Sequence, residues 1–134
     1  MTHLLVVEDE PATQKMMQKM LSKGGGYDVT LTEEVREGLA LIRSGQVALV
    51  LMDVSLNNTR YEGRLIDGLA FARLIKAEPA GAGVPILLVT AHALVGAAER
   101  MLAESGADDY IAKPFADSKS LVDKVRATLA KVRG

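Results

Sequence analysis

"VALVLMD", residues 47 to 53, runs apolar for six positions and then ends on a carboxylate. A strand with one wet face alternates apolar and polar residues, whereas a strand covered on both faces reads as a continuous apolar run. This run therefore predicts an interior strand of a sheet flanked by helices. "VPILLVT" (84–90) has the same character, and "HLLVV" (3–7) is a shorter version of it. "YDVTL" (27–31) alternates like a strand, and "DDYIA" (108–112) is a short last one.

Helical spacing fills the intervals. Pro11 suits a first helical turn. Ala12, Met16, Met17, Met20 and Leu21 then recur at helical spacing until Gly24–Gly26, and the methionines read as core. Thr32 is placed to cap the next helix, with Glu33 and Glu34 in its first turn and Val35, Leu39 and Ile42 as its buried stripe. In "DGLAFARLIKAEP" (67–79), Asp67 is the cap and Pro79 lies past the end. A fourth helix spans about 94 to 105, with Gly106 as its stop. Asp117 or Ser118 caps a fifth, which aligns Leu121, Val122, Val125, Leu129 and Val132. Strict strand–helix alternation predicts an α/β fold with a parallel sheet.

The composition narrows the function. A chain of 134 residues reads as one domain, 1–134. A formal charge of −1 gives no general attraction to nucleic acid. There is no Cys, hence no disulfide and no thiolate chemistry. "MTHLLVVEDE" lacks the basic start of a signal peptide, and no apolar run approaches a membrane span of roughly 20 residues. A soluble cytoplasmic domain is expected.

In parallel sheets, sites form outside the carboxyl ends of the strands. Those ends carry Glu8, Asp9 and Glu10, then Asp53, then Thr90, then Lys113 followed by Pro114. Each has a plain alternative: acids favour a helix N-terminus, Asp and Thr cap helices, and lysine is usually a surface residue. Together they have a sharper reading. Carboxylates with few other ligands suit Mg²⁺, which is commonly shared with phosphate. A carboxylate can also be the nucleophile that carries a phosphoryl group.

"VVEDEP" (6–11), "LVLMDV" (49–54), "VTA" (89–91) and "GADDYIAKPF" (106–115) together resemble the receiver domain of two-component response regulators, over essentially the whole chain. The resemblance implies a flavodoxin-like doubly wound sheet of five parallel strands, order 2-1-3-4-5, with five helices. It implies that Asp53 is the phosphoacceptor. Asp9 would ligate Mg²⁺ (or Mn²⁺) directly, Glu8 mainly through water, and Ser55 through its backbone carbonyl. Thr90 would hydrogen-bond the phosphoryl group, Lys113 would pair with it, and Tyr110 would change rotamer on activation. The Lys113–Pro114 bond would be cis. The expected phosphoryl donor is a sensor histidine kinase or phosphotransfer protein, and the output a downstream protein target. The signalling face would be the fourth helix, fifth strand and fifth helix, with Asp108, Asp109, Arg100, Lys124 and Arg126 available for salt bridges in a homodimer. No output domain follows Lys131 to Gly134, so a stand-alone receiver is expected, with no direct binding to nucleic acid or membrane. Such a domain assists its own phosphorylation but is no turnover enzyme.

Two rivals use similar parts. A haloacid-dehalogenase-type phosphatase also uses Asp, Thr, Lys and Mg²⁺, but places an Asp-x-Asp pair after its first strand, where this chain has Glu8-Asp9-Glu10. A nucleotide- or flavin-binding domain wants a Gly-rich or hydroxyl-rich phosphate loop there. One departure from the receiver pattern is plain. Asp53 is followed by "VSLNNTRYEGRLIDG" (54–68), which lacks the usual Met-Pro and delays Asp67-Gly68. The inserted stretch 54–66 reads as a polar loop beside Asp53, with Arg60, Tyr61 and Arg64 as candidate partner contacts. His92 falls at the expected mouth of the pocket, and His3 has no evident role.

Overall fold

The computed structural model describes residues 2–91 and 96–133. Its strands are β1 (His3–Val7), β2 (Asp28–Thr32), β3 (Leu49–Asp53), β4 (Arg60–Tyr61), β5 (Arg64–Leu65), β6 (Ile86–Thr90) and β7 (Asp109–Ala112). Its helices are α1 (Pro11–Lys19), α2 (Val35–Arg43), α3 (Gly68–Ala77), α4 (Ala97–Ser105) and α5 (Ser118–Arg133). Five strands form one parallel sheet in the order β2-β1-β3-β6-β7. This is the doubly wound order 2-1-3-4-5 once the β4–β5 hairpin is set aside.

Side chains alternate across a strand, so each apolar run feeds two cores. Leu5, Val7, Val50, Met52, Ile86 and Leu88 pack with Val35, Leu39 and Ile42 of α2 and with Phe71, Ala72 and Ile75 of α3. Leu4, Val6, Leu49, Leu51, Leu87 and Val89 pack with Met17, Leu21, Leu121 and Val125 on the other face. Burying each such side chain contributes about 1.5–3 kcal/mol. That is why β3, the central strand, carries no polar residue before Asp53.

Several local expectations are corrected. Met16 is 40% exposed, so only Met17 of the first two methionines is core. The first helix closes through one π turn, Met20–Gly24, before Gly25 and Gly26. Thr32 stays in β2; its hydroxyl accepts the Glu34 N–H, and Glu34 is itself the N-cap of α2, leaving Glu37 as the first-turn acid. Asp67 does cap α3, accepting the Ala70 N–H at 2.9 Å. Asp117 caps α5, accepting the Ser120 N–H at 2.7 Å. Gly106 ends α4 in the left-handed region. His92 lies outside the described residues, as does the side chain of Val132.

The stretch 54–66 is more ordered than a polar loop. β4 and β5 pair as a two-residue hairpin across Glu62 (φ 52°) and Gly63 (φ 80°), the positive-φ turn that suits hairpin twist. Leu56 is 7% and Thr59 2% exposed, and the Thr59 hydroxyl donates to the Glu33 carbonyl. The stretch is thus pinned to the start of α2.

Gly68 has a separate reason to be glycine. A Cβ there would stand 1.9 Å from the Asp53 carbonyl oxygen, because α3 begins directly against the end of β3. Gly68→Ala is expected to cost about 2–3 kcal/mol in urea unfolding. Gly83→Ala, whose Cβ would meet nothing within 4 Å, serves as the control. Equal stabilities for the two variants would refute the close approach.

Candidate functional site

The ladder continues past two strand ends. Glu8 N–H donates to the Thr32 carbonyl (3.1 Å), and Lys113 N–H to the Thr90 carbonyl (2.8 Å). Alternation therefore carries on, and Glu8, Asp53 and Lys113 fall in the row of Val6, Leu51 and Ile111. Thr90 falls in the other row, with Leu88 and Tyr110. Residues from the ends of four separate strands are thereby delivered to one rim.

Lys113 Nζ lies 3.2 Å from Glu8 Oε1 and 3.4 Å from Asp53 Oδ1. Glu8 is 1% and Asp53 4% exposed. Asp53 Oδ1 also accepts the Ser55 N–H at 3.1 Å. Glu8 is held at its backbone, where Gln14 Nε2 donates to its carbonyl. Asp9, half-buried beside them, accepts the N–H groups of Asn57 (2.6 Å) and Asn58 (3.2 Å) on Oδ2. Glu10 is different: it is exposed, and its carboxylate accepts the Thr13 hydroxyl. The three consecutive acids thus split into one buried, one half-buried and one solvated group.

The charges do not balance. Two unit charges 4 Å apart repel by about 4 kcal/mol at an effective dielectric of about 20. Burial, then hydrogen bonding to and repulsion by Asp53, pushes the Glu8 carboxyl up to about 7 from an ordinary 4.5, although Lys113 pulls it down. Burial pushes the Lys113 ammonium down, but attraction to Asp53 and Glu8 outweighs it and leaves the group above its usual value. One carboxylate oxygen each from Glu8, Asp9 and Asp53 lie within 4.8 Å of one another. That hard, all-oxygen, over-negative set fits a divalent cation of the Mg²⁺ type.

Ser55, Asn57 and Asn58 line the same cleft. Arg60, Tyr61 and Arg64 do not. Arg60 and Tyr61 border a groove against the start of α2, and Tyr61 and Arg64 a second one against α3. The structure therefore moves the expected loop contacts away from the acids and brings in Asn57 and Asn58, which by residue type are only turn formers. Nothing in the sequence marks them, because they contribute backbone N–H groups. Thr90 is 1% exposed at the end of β6, and Tyr110 is half-buried with Lys124 Nζ 5.8 Å from its ring centroid.

Of the charges proposed for a dimer, Asp108, Asp109 and Lys124 are engaged within the chain. Asp108 Oδ2 accepts Lys76 Nζ (3.1 Å) and the Ile86 N–H (2.8 Å). Asp109 Oδ2 pairs with Lys131 (2.7 Å) and Lys124 (3.3 Å). Burial of Asp109 is outweighed by these partners and the Tyr110 N–H, so its carboxyl lies below the usual range. The Lys113–Pro114 bond is cis. No helix among the described residues is long and apolar enough to cross a membrane.

The family model of the response regulator receiver domain matches residues 4–126. The chain is 34% identical over 129 residues to the DNA-binding response regulator MtrA of Mycolicibacterium smegmatis, covering 96% of this chain and 50% of MtrA. It is 32% identical over 130 residues to hybrid signal transduction histidine kinase I of Dictyostelium discoideum, covering 96% of this chain and 7% of the kinase. The chain thus spans half the length of MtrA and far less of the kinase. Among solved structures, the receiver domain of sensor histidine kinase PA1611 from Pseudomonas aeruginosa, with a magnesium ion coordinated in its active site cleft, matches with a TM-score of 0.79. Its identity is 32%, over 96% of this chain and 98% of that one. Chemotaxis protein CheY4 of Vibrio cholerae shares the fold at a TM-score of 0.80 and 21% identity, over 96% of this chain and 98% of that one.

The raised Glu8 group has a thermodynamic consequence. Between about 4.5 and 7 the native state holds this proton more tightly than the unfolded chain does. The associated stability is fully present below about 4.5 and is lost as pH rises through about 7. Metal-free protein is expected to lose up to about 3 kcal/mol over that range, and Glu8→Gln to flatten the profile. Urea midpoints in EDTA across the range test this; parallel profiles for the two proteins would overturn it.

Proposed function

Because the chain belongs to the response regulator receiver domain family, the signalling domain of two-component systems, we propose that Asp53 is its phosphoacceptor. The observation that carries this reading is the burial of Asp53 at the tip of the central strand, within 3.4 Å of the Lys113 ammonium and beside Glu8 and Asp9. The Lys113 ammonium stands within 3.4 Å of the Asp53 oxygen beside which the phosphoryl group would arrive. An Asp53 oxygen attacks the phosphorus of a phosphohistidine, the P–O bond forms as the P–N bond breaks, and the leaving imidazole nitrogen takes a proton from solvent water. Such transfer asks mainly for positioning and charge stabilisation.

Glu8, Asp9, Asp53 and the Ser55 carbonyl are the groups that would hold Mg²⁺ or Mn²⁺, which supplies positive charge against the oxygens of the transferred group. Lys113 pairs with those same oxygens. Thr90 donates a hydrogen bond to the phosphoryl group, and Tyr110, in the same side-chain row, follows it inward. Their movement reshapes the α4–β7–α5 face for a downstream protein target or a second copy of the chain. A shift from 1:99 to 99:1 needs about 5.5 kcal/mol of differential stabilisation, of which charge-assisted hydrogen bonds supply a large part. The phosphoryl donor is a sensor histidine kinase or phosphotransfer protein. Residues 1–134 act as one receiver domain in the cytoplasm, and the family membership gives no support to a turnover phosphatase.

Labelling by a small phosphodonor, read by intact mass, is expected to add one phosphoryl group per chain in Mg²⁺ and none in EDTA. Asp53→Asn should abolish it, and undiminished labelling of that variant would sink the assignment. The combined Arg60→Ala, Tyr61→Ala and Arg64→Ala variant should slow transfer from the cognate kinase but leave small-donor labelling intact; equal effects on both would remove these residues from donor recognition. With a beryllofluoride phosphate mimic, backbone chemical shifts of Thr90, Tyr110 and the α4–β7–α5 face should move. Shifts confined to the acidic cleft would refute the switch.

A further inference from the structure

Asp9 is held unlike the two acids beside it. Glu8 and Asp53 are buried and share Lys113, whereas Asp9 is half-exposed and makes no ion pair among the described residues. In place of a cation, its Oδ2 accepts two backbone N–H groups, from Asn57 at 2.6 Å and Asn58 at 3.2 Å. Both residues belong to the inserted stretch 54–66. We propose that this insertion is a positioning element for the metal site: its Asn57 and Asn58 amides hold one oxygen of Asp9 and leave the other for the cation. The proposal rests on the assignment of the metal to Glu8, Asp9 and Asp53.

The amides can do this because the chain on either side of them is fixed. Leu56 is 7% exposed on one side and Thr59 2% on the other. The Thr59 hydroxyl donates to the Glu33 carbonyl at 3.1 Å, and the Thr59 carbonyl accepts the Ile66 N–H at 2.9 Å, which closes the base of the hairpin. A solvated loop would average the two N–H vectors away; a loop anchored at Leu56 and Thr59 aims them. Hydrogen bonds to an ionised acceptor are the strong ones. Two amides also spread the charge of Asp9 without placing a full positive charge where a divalent cation must enter. A lysine in their place would repel that cation. Metal-binding carboxylates are commonly oriented by such outer partners, and losing a partner weakens metal binding by about 10- to 100-fold. The insertion thereby ties the acidic cleft to the β4–β5 hairpin and, through Glu33, to the start of α2.

The test replaces a single backbone N–H with oxygen and keeps every side chain. Semisynthetic protein carrying an ester in place of the amide N–H of residue 57, and a second carrying one at residue 58, are titrated with Mg²⁺ by calorimetry and by amide chemical shifts. An ester at residue 62, in the hairpin turn, controls for the chemistry. The expected result is about 10- to 100-fold weaker Mg²⁺ binding for the esters at 57 and 58, against little change for the ester at 62. Folded ester variants that bind Mg²⁺ as tightly as the wild type, or more tightly, overturn the proposal. Thr59→Val keeps both amides but removes their anchor, and covers the case in which an ester fails to fold. It should also weaken Mg²⁺ binding, and in the wild type the Asn57 and Asn58 amide resonances should move on Mg²⁺ addition; failure of both would overturn the proposal. Wild-type protein that takes up no Mg²⁺ at all would sink the metal assignment instead, a failure separate from equal binding by wild type and ester variants.

Discussion

An excess of buried negative charge at the ends of β1 and β3 is the constraint on which this molecule turns. Glu8 and Asp53 share the single ammonium of Lys113. Burial, reinforced by Asp53, holds the Glu8 proton up to about 7. A fold selected for stability alone would replace such a cluster with apolar residues or matched pairs, since removing charges from water is costly. The cluster makes sense as a site kept short of positive charge, which fits a divalent cation of the Mg²⁺ type.

Sheet geometry is what makes that arrangement possible. Parallel pairing sets β1, β3 and β6 side by side and in register, with Asp53 opposite Val89. The ladder bonds of Glu8 and Lys113 extend the alternation by one residue beyond the strands. Acids and lysine come out on the α1–α5 side, while Thr90 and Tyr110 come out on the side of α2, α3 and α4. The same two-residue period that sorts the two cores thus separates the acids and the lysine from Thr90 and Tyr110. Gly68 adds a further tie, since α3 can start against the Asp53 carbonyl only without a side chain at that position.

Much of this was legible in the sequence because it depends on local pattern. Apolar runs ending in Asp53 and Thr90 announce buried parallel strands, and the residues after them must stand at one rim. Asp67, Gly106 and Asp117 declare helix boundaries by capping chemistry. Where several boundaries compete, local reading falters. Thr32 was a plausible cap for α2, but the ladder of β2 claims it, and the helix begins at Val35 instead. Met16 has the right spacing for a core residue, yet α1 and its closing π turn present Met17 and Leu21 to the sheet and leave Met16 40% exposed. The stretch 54–66 read as a loop because its strands have two residues each, too short for periodicity to register.

The sequence by itself determined the fold class and the strand ends, and it singled out Glu8, Asp9, Asp53 and Lys113, which meet at one rim. Periodicity, capping and the carboxyl-end rule are properties of neighbouring residues. Only the tertiary structure decided how the charges are partnered: that Lys113 reaches both Glu8 and Asp53, that Asp108 and Asp109 pair inside the chain with Lys76, Lys124 and Lys131, and that Asp9 rests on Asn57 and Asn58. Pairings across 15 residues (Asp109 to Lys124) to 105 (Glu8 to Lys113) depend on where helices and loops dock. Backbone N–H groups, moreover, are the same for nearly every residue type, so no choice of amino acid records which carboxylate they will serve.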